Sequence, residues 1–131
     1  MLGLAFHHIG IACADIEKTA RYVREAYVVE SDSGTVHDPL QDVYVRLFNE
    51  GTPGAIELVS GPAVEKLIKS HVTYYHVCYA TDDLEASIAA AKAAGAMLVS
   101  SPKPAVLFGG RRVAFVFTEL GLCLLYTSRC V

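Results

Sequence analysis

The chain holds no run of lysine or arginine, and its 131 residues carry a net charge of -3. A basic stripe is the electrostatic footprint of nucleic-acid binding and of attachment to anionic membranes, so neither partner is expected. No apolar stretch approaches the roughly 20 residues that cross a bilayer as a helix. The opening "MLGLAFHHIG" has neither a basic segment nor a small-residue cleavage site, so no signal peptide is expected. Cys-x-x-Cys pairs are missing as well. Cys13, Cys78, Cys123 and Cys130 stand far apart, which speaks against a zinc-cysteine site and for reduced, buried thiols of a cytoplasmic protein. With no basic neighbour beside Cys13, Cys78 or Cys123, none of these three is expected to act as a nucleophile.

What is present is apolar and repetitive. Hydrophobic residues make up 53% of the chain, enough to fill the core of one domain of this length, residues 1–131. The stretch "FHHIGIACADIEKT" at 6–19 returns as "YYHVCYATDDLEAS" at 74–87. Each copy has a histidine on an apolar run, an aspartate seven residues later, and then a helical pattern. In the first copy His8, Gly10 and Ala12 alternate with Ile9 and Ile11, the period of a strand. His7 then points to the opposite face, as a structural or surface residue. Asp15 is placed to cap a helix whose apolar positions Ile16, Ala20, Val23 and Tyr27 recur at helical spacing. Strands are expected at "DVYVRLFN" and "AIELVS" around the turn "EGTPG", with a short helical connector after Pro62.

The second half repeats the order. "YYHVCYAT" reads as a strand, Asp83 as a cap, and Gly95 as the residue that ends an alanine-rich helix. "AMLVSS", "RRVAFVFT" and "LCLLYTS" read as strands, with "PKPAVLFGG" as a loop. One shift of 68 lays His8 on His76 and Asp15 on Asp83. Without a gap it also lays "VYVRLF" (43–48) on "RRVAFV" (111–116), and "AIELVS" (55–60) on "CLLYTS" (123–128). The fold class is therefore α+β: two β-α-β-β-β modules, 5–60 and 74–128, joined by a connector at 61–73 and paired about a pseudo-two-fold axis around a shared cleft.

Such pairing brings His8 and His76 together in the cleft, where neutral imidazoles on rigid strands suit a divalent metal. Glu57 adds a carboxylate on a strand otherwise too apolar for an unpaired charge. One histidine on an apolar strand is ordinarily a satisfied core residue. The repeat partner and Glu57 set a metal site of His8, Glu57 and His76 beside that reading, and a family resemblance tips the balance toward it.

With "HHIGIACADIEKT", "HDPLQDVYVRLF", "IELV", "YYHVCYATDDLEASI" and "FGGRRVAFVFT", the chain resembles the vicinal oxygen chelate superfamily. The likeness runs from about residue 6 to 127, and is nearest to the methylmalonyl-CoA epimerase and glyoxalase I (lactoylglutathione lyase) branch. The resemblance implies a divalent ion (Zn, Ni, Co, Mn or Fe) held by His8, Glu57, His76 and a last-strand glutamate. Both the repeat and the segment "GLCLLY" put Leu125 where that glutamate belongs. Leu40 stands where epimerase-like relatives carry a base, near Asp38, Gln41 and Asp42. Two histidines and one carboxylate still make a facial triad with open positions, as in dioxygenase and fosfomycin-resistance relatives.

The implied activity is lyase or epimerase proton transfer on a small carbonyl or thioester substrate, with Glu57 as the remaining base. Arg111 and Arg112, after "FGG", are candidates to meet a substrate carboxylate or phosphate, or are strand-edge charges. Two alternatives remain open: a non-catalytic small-molecule binding protein for sequestration or resistance, favoured by Leu125 and Leu40, and a three-ligand iron site of dioxygenase type. A homodimer is expected from the uncovered sheet edges.

Overall fold

The computed structural model describes residues 4–127; Cys130 and the expected end of the last strand at Ser128 lie outside the described residues. Its elements follow in the order β1 (Ala5–Ala12), α1 (Ile16–Ala26), β2 (Val36–Asp38), β3 (Val43–Phe48), β4 (Ile56–Ser60), a 3-10 turn at Pro62–Val64 leading into α2 (Glu65–Lys69), β5 (Tyr74–Thr81), α3 (Leu84–Ala93), β6 (Met97–Pro104), a 3-10 turn at Val106–Phe108, β7 (Arg112–Thr118) and β8 (Gly121–Thr127). The strands form one eight-stranded sheet in the order β2-β3-β4-β1-β5-β8-β7-β6. That order reads the same from either end once the halves are exchanged, so a pseudo-two-fold axis passes between β1 and β5. These two strands pair antiparallel, while β1 with β4 and β5 with β8 are parallel, as helical crossovers require.

Equivalent caps start the two long helices. Asp15 accepts from the Lys18 amide and Asp83 from the Ala86 amide, each satisfying a first-turn donor. Gly95 follows α3 with φ +98°, a conformation that closes a helix end without a Cβ penalty. Helix α1 buries Ile16, Ala20 and Val23 against Phe48 and Leu58, and α3 buries Leu84 and Ile88 against Ala114, Val116 and Leu125. Both helices thus cover one face of the sheet. The other face curls into a cleft walled by Val43, Val45 and Val59 from the first half and Val113, Phe115 and Leu124 from the second.

Strand β6 runs further than its hydrophobic pattern, through Pro102 to Pro104. It is an edge strand, where a missing backbone donor is tolerated, and its ladder with β7 carries two register shifts. The single offset of 68 also needs a correction. Leu47 pairs with Glu57 and Phe115 with Leu124, so ten positions separate the first pair and nine the second. The β7–β8 hairpin is one residue shorter than its counterpart, and β8 follows an offset of 67.

Candidate metal centre

Gly10 is the middle of the site. On one side it pairs with Glu57 of β4 and on the other with His76 of β5, so these two side chains flank a residue that has none. A Cβ built on Gly10 would overlap the His76 imidazole, which occupies that space. His8, two residues earlier on the same face of β1, completes the group. Its Nε2 lies 3.1 Å from His76 Nε2 and 3.4 Å from Glu57 Oε1, and His76 Nε2 lies 3.6 Å from the same oxygen. A point about 2 Å from all three atoms exists inside this triangle, the length of a zinc–nitrogen or zinc–oxygen bond. All three residues are buried. Two imidazoles and a carboxylate with matched separations fit a divalent ion.

The electrostatics agree with that donor set. Burial disfavours the imidazolium of His76 more than the Glu57 charge favours it, and its pKa falls to about 4, leaving the neutral ligand form. Burial works to raise the Glu57 carboxyl, but the facing imidazoles of His8 and His76 outweigh it and hold the group below its ordinary value, as a carboxylate. His76 Nδ1 is buried with no hydrogen-bond partner among the described residues.

Two β-bulges shape the approach. The ladder between β1 and β5 slips between Phe6 and His8, and again opposite Gly10 and Ile11. The extra residues are His7 on β1 and Tyr75 on β5, counterparts under the repeat. A bulge breaks strict alternation. His7 is therefore not on the opposite face as strand periodicity predicts: its Nδ1 is 2.8 Å from His8 Nδ1, and its ring lies against Phe108 and Tyr126. Burial lowers its pKa to about 4, and closeness to the His8 ring acts in the same direction. Tyr75 stands edge-on to His76, and burial with the nearby Glu57 charge pushes its hydroxyl up.

Two chambers open beside the centre. One, of about 200 Å³, has the apolar walls already named, with Glu57, Asp38, Gln41 and Tyr75 as its polar lining. The other, of about 440 Å³, is lined by His7, Glu50, Arg111 and Tyr126 with Leu107, Phe108 and Gly109. Asp38 is buried and accepts from the amides of Leu40, Gln41 and Val106 and from Gln41 Nε2.

The remaining expectations divide. Leu125 does not face the cleft. It packs under α3, and the register sets Leu124 beside Cys78, the counterpart of Gly10, so Leu124 answers to Glu57. The cause is the residue lost from the β7–β8 hairpin, which turns every following side chain over. Leu40 is 58% exposed and lines neither chamber. Arg111 reaches the larger chamber and donates to the Tyr126 hydroxyl at 2.6 Å, whereas Arg112 pairs with Glu85 at the start of α3, away from the cleft. Cys78 Sγ lies within 4.8 Å of ligand atoms of His7 and His8, but burial raises its thiol well above the ordinary range. Burial raises the Cys13 thiol too, and takes that of Cys123 to about 11. Gly10, His7 and Leu124 are the positions around the candidate centre that sequence reasoning missed. The one signal for Gly10 was a glycine inside a strand, which marks a close approach.

The fold is thus a paired β-α-β-β-β sheet with a buried His-Glu-His group at its centre. Residues 7–115 match the Glyoxalase/Bleomycin resistance protein/Dioxygenase superfamily, and the chain belongs to that family. Among solved structures it is similar to a hypothetical protein of Bacillus halodurans (20% identity over 98% of this chain and 97% of that one, TM-score 0.82). It is also similar to methylmalonyl-CoA epimerase from Mycobacterium tuberculosis (17% identity, 95% and 88% covered, TM-score 0.76). A variant of the Streptomyces coelicolor methylmalonyl-CoA epimerase, solved in complex with 2-nitronate-propionyl-CoA, is 25% identical with 97% and 96% covered and a TM-score of 0.75. No curated protein matches the chain in sequence. Among the described residues no helix is long and apolar enough to cross a membrane.

Proposed function

We propose that the chain is a metal-dependent lyase or epimerase that moves a proton beside the carbonyl of a small ketone or thioester. The observation that carries this reading is the buried triangle of His8, Glu57 and His76, whose Glu57 also lines an apolar chamber. These three residues would hold a divalent ion. When bound, the ion supplies Lewis-acid polarisation of a carbonyl oxygen. Glu57 is the base: it is a carboxylate facing the chamber, whereas the Asp38 oxygens are committed to four protein donors. Val43, Val45, Val113 and Phe115 exclude water around the reacting carbon and strengthen every charge inside. Arg111, in the larger chamber, is the residue to meet an anionic group of the substrate. The acyl-CoA analogue held by the Streptomyces epimerase supports a thioester as the substrate class to try first.

A second reading is non-catalytic capture of an apolar small molecule. Leu124 favours it, because the position opposite Glu57 carries no second carboxylate for two-sided proton transfer. A second copy of the chain is proposed to cover the edge strand β6, where Met97 and Val99 are exposed beside Phe117 of β7; sedimentation giving twice the chain mass is the expected result, and the single chain mass would reject it.

The deciding experiment is elemental mass spectrometry on protein purified without chelator, followed by deuterium uptake from solvent into methylmalonyl-CoA. The enzyme reading expects about one metal per chain, lost in Glu57→Gln, and exchange at the carbon beside the thioester. Full metal content in Glu57→Gln would remove Glu57 from the centre. Metal without exchange on this or a related thioester or ketone would favour the capture reading.

A further inference from the structure

The metal reading assigns His8 Nε2 to the ion but leaves open what fixes that ring. An imidazole has two nitrogens, and it ligates through one only when the proton is on the other. His8 Nδ1 lies 2.8 Å from His7 Nδ1, and the β-bulge at His7 is what makes this contact: without it consecutive side chains would point to opposite faces. We infer that His7 is a positioning residue, whose Nδ1 accepts the proton of His8 Nδ1 and thereby presents His8 Nε2, unprotonated, to the cleft. The inference rests on the metal-centre reading and names a residue of this chain that the centre depends on.

Two further observations set the direction of that hydrogen bond. The contacts His76 Nε2···His8 Nε2 and His8 Nδ1···His7 Nδ1 form a chain of three imidazoles, which protons among the rings fill with one of two polarities. Glu57 Oε1, at the longer distances of 3.4 Å from His8 Nε2 and 3.6 Å from His76 Nε2, is the competing acceptor. If His7 donates to His8 and His8 to His76, the last proton of the chain falls on His76 Nδ1, a buried atom with no partner among the described residues. A buried N–H left orphaned is rarer and costlier than an unfilled acceptor. In the metal-free protein the opposite polarity leaves only a lone pair there and puts the outer proton on His7 Nε2; ligation through His76 Nε2 then requires the His76 proton to move to Nδ1. The second observation is asymmetry. Tyr75, the counterpart of His7 at the matching bulge, packs edge-on against His76 but leaves its Nδ1 without a partner among the described residues. The two ligand histidines are therefore held differently: His8 by a hydrogen bond to its outer nitrogen, His76 by packing into the space above Gly10.

Two variants separate the hydrogen bond from the packing of the His7 ring against Phe108 and Tyr126. His7→Phe keeps an aromatic ring there and removes the acceptor, whereas His7→Asn gives up the ring and restores an acceptor near the position of Nδ1. Zinc affinity by competition with a chromophoric chelator should fall about 10- to 100-fold in His7→Phe, the usual effect of losing the partner of a ligand histidine, and return most of the way in His7→Asn. In the metal-free protein, nitrogen-15 NMR should place the His8 proton on Nδ1 in the parent and in His7→Asn. Parent-like zinc affinity in His7→Phe, or a His8 proton on Nε2 in the parent, would overturn the inference. A parent that takes up no zinc would instead end the metal reading, and the NMR result alone would then decide the role of His7.

Discussion

Gly10 is the residue whose replacement tests the centre with the least chemistry. It brings no ligand atom, yet the His76 ring occupies the volume its Cβ would take, between the strands that carry Glu57 and His76. Gly10→Ala therefore forces the imidazole out of place, and the close packing around it offers no easy relaxation. The expected cost is about 1–3 kcal/mol of stability, with loss of the metal affinity proposed for the centre. Urea denaturation and metal analysis read both effects; full metal content in Gly10→Ala would show that His76 is not held as described. The His76 pKa of about 4 makes a second prediction at this scale. Its unfolded value is 6.5, so between those limits the unfolded chain binds the extra proton, and stability must rise with pH. The contribution is fully present above about pH 6.5 and is lost as the pH falls toward 4. For metal-free protein the drop from pH 7 to 5 attributable to His76 is about 2 kcal/mol. His7, also lowered to about 4, acts with the same sign. The urea midpoint of His76→Asn should depend less on pH than that of the parent; equal dependence would contradict the burial argument.

The fold was legible in the sequence at the level of elements because their signals are local. Asp15 and Asp83 announce their helices, apolar alternation announces the strands, and the repeat of 68 joins His8 to His76. Two features were not legible because they count residues rather than name them. A bulge adds one residue to one strand of a ladder, and nothing in the "HH" of β1 or the "YYH" of β5 distinguishes it from simple alternation. A hairpin shortened by one residue inverts the facing of everything after it, and a comparison made without gaps passes over it. The register of β8 yields its own prediction. Leu124 faces the cleft opposite the Glu57 position, while Leu125 is 1% exposed under α3. Leu124→Glu should bind zinc more tightly, since it offers a fourth ligand beside His8, Glu57 and His76. Zinc should also restore the stability that burying its carboxylate at a position 3% exposed costs. Leu125→Glu should lose roughly 3 kcal/mol or more, because it buries a carboxylate among Leu84, Ile88 and Val116. Zinc titration and urea unfolding of the two variants check this; the reverse pattern would restore the ungapped register.

At the scale of the whole molecule, two contacts lie on the pseudo-two-fold axis. His8 touches His76, and Asp38 accepts from the Val106 amide; both pairs are separated by 68 residues, so in each a position meets its own counterpart. The first pair is central in the sheet, at the candidate metal centre. The second joins the end of β2 to the 3-10 turn before β7, from opposite arms of the curled sheet. Asp38 is 1% exposed, and the same carboxylate also receives the Leu40 and Gln41 amides and the Gln41 side chain. The cleft is thus tied at its floor by β1–β5 pairing and at its rim by one aspartate. Asp38→Ala removes that tie and leaves several donors without their acceptor. The expected loss is about 2–4 kcal/mol, since each buried donor left unsatisfied costs about 1–3 kcal/mol and the turn relaxes to recover part of it. Hydrogen exchange distinguishes a local opening from a general weakening. The Val106 amide should exchange much faster in Asp38→Ala, while the β1 and β5 amides slow to exchange in the parent should change only by the global loss. An unfolding midpoint within error of the parent, or unchanged protection at Val106, would mean that the arms are held by wall packing alone.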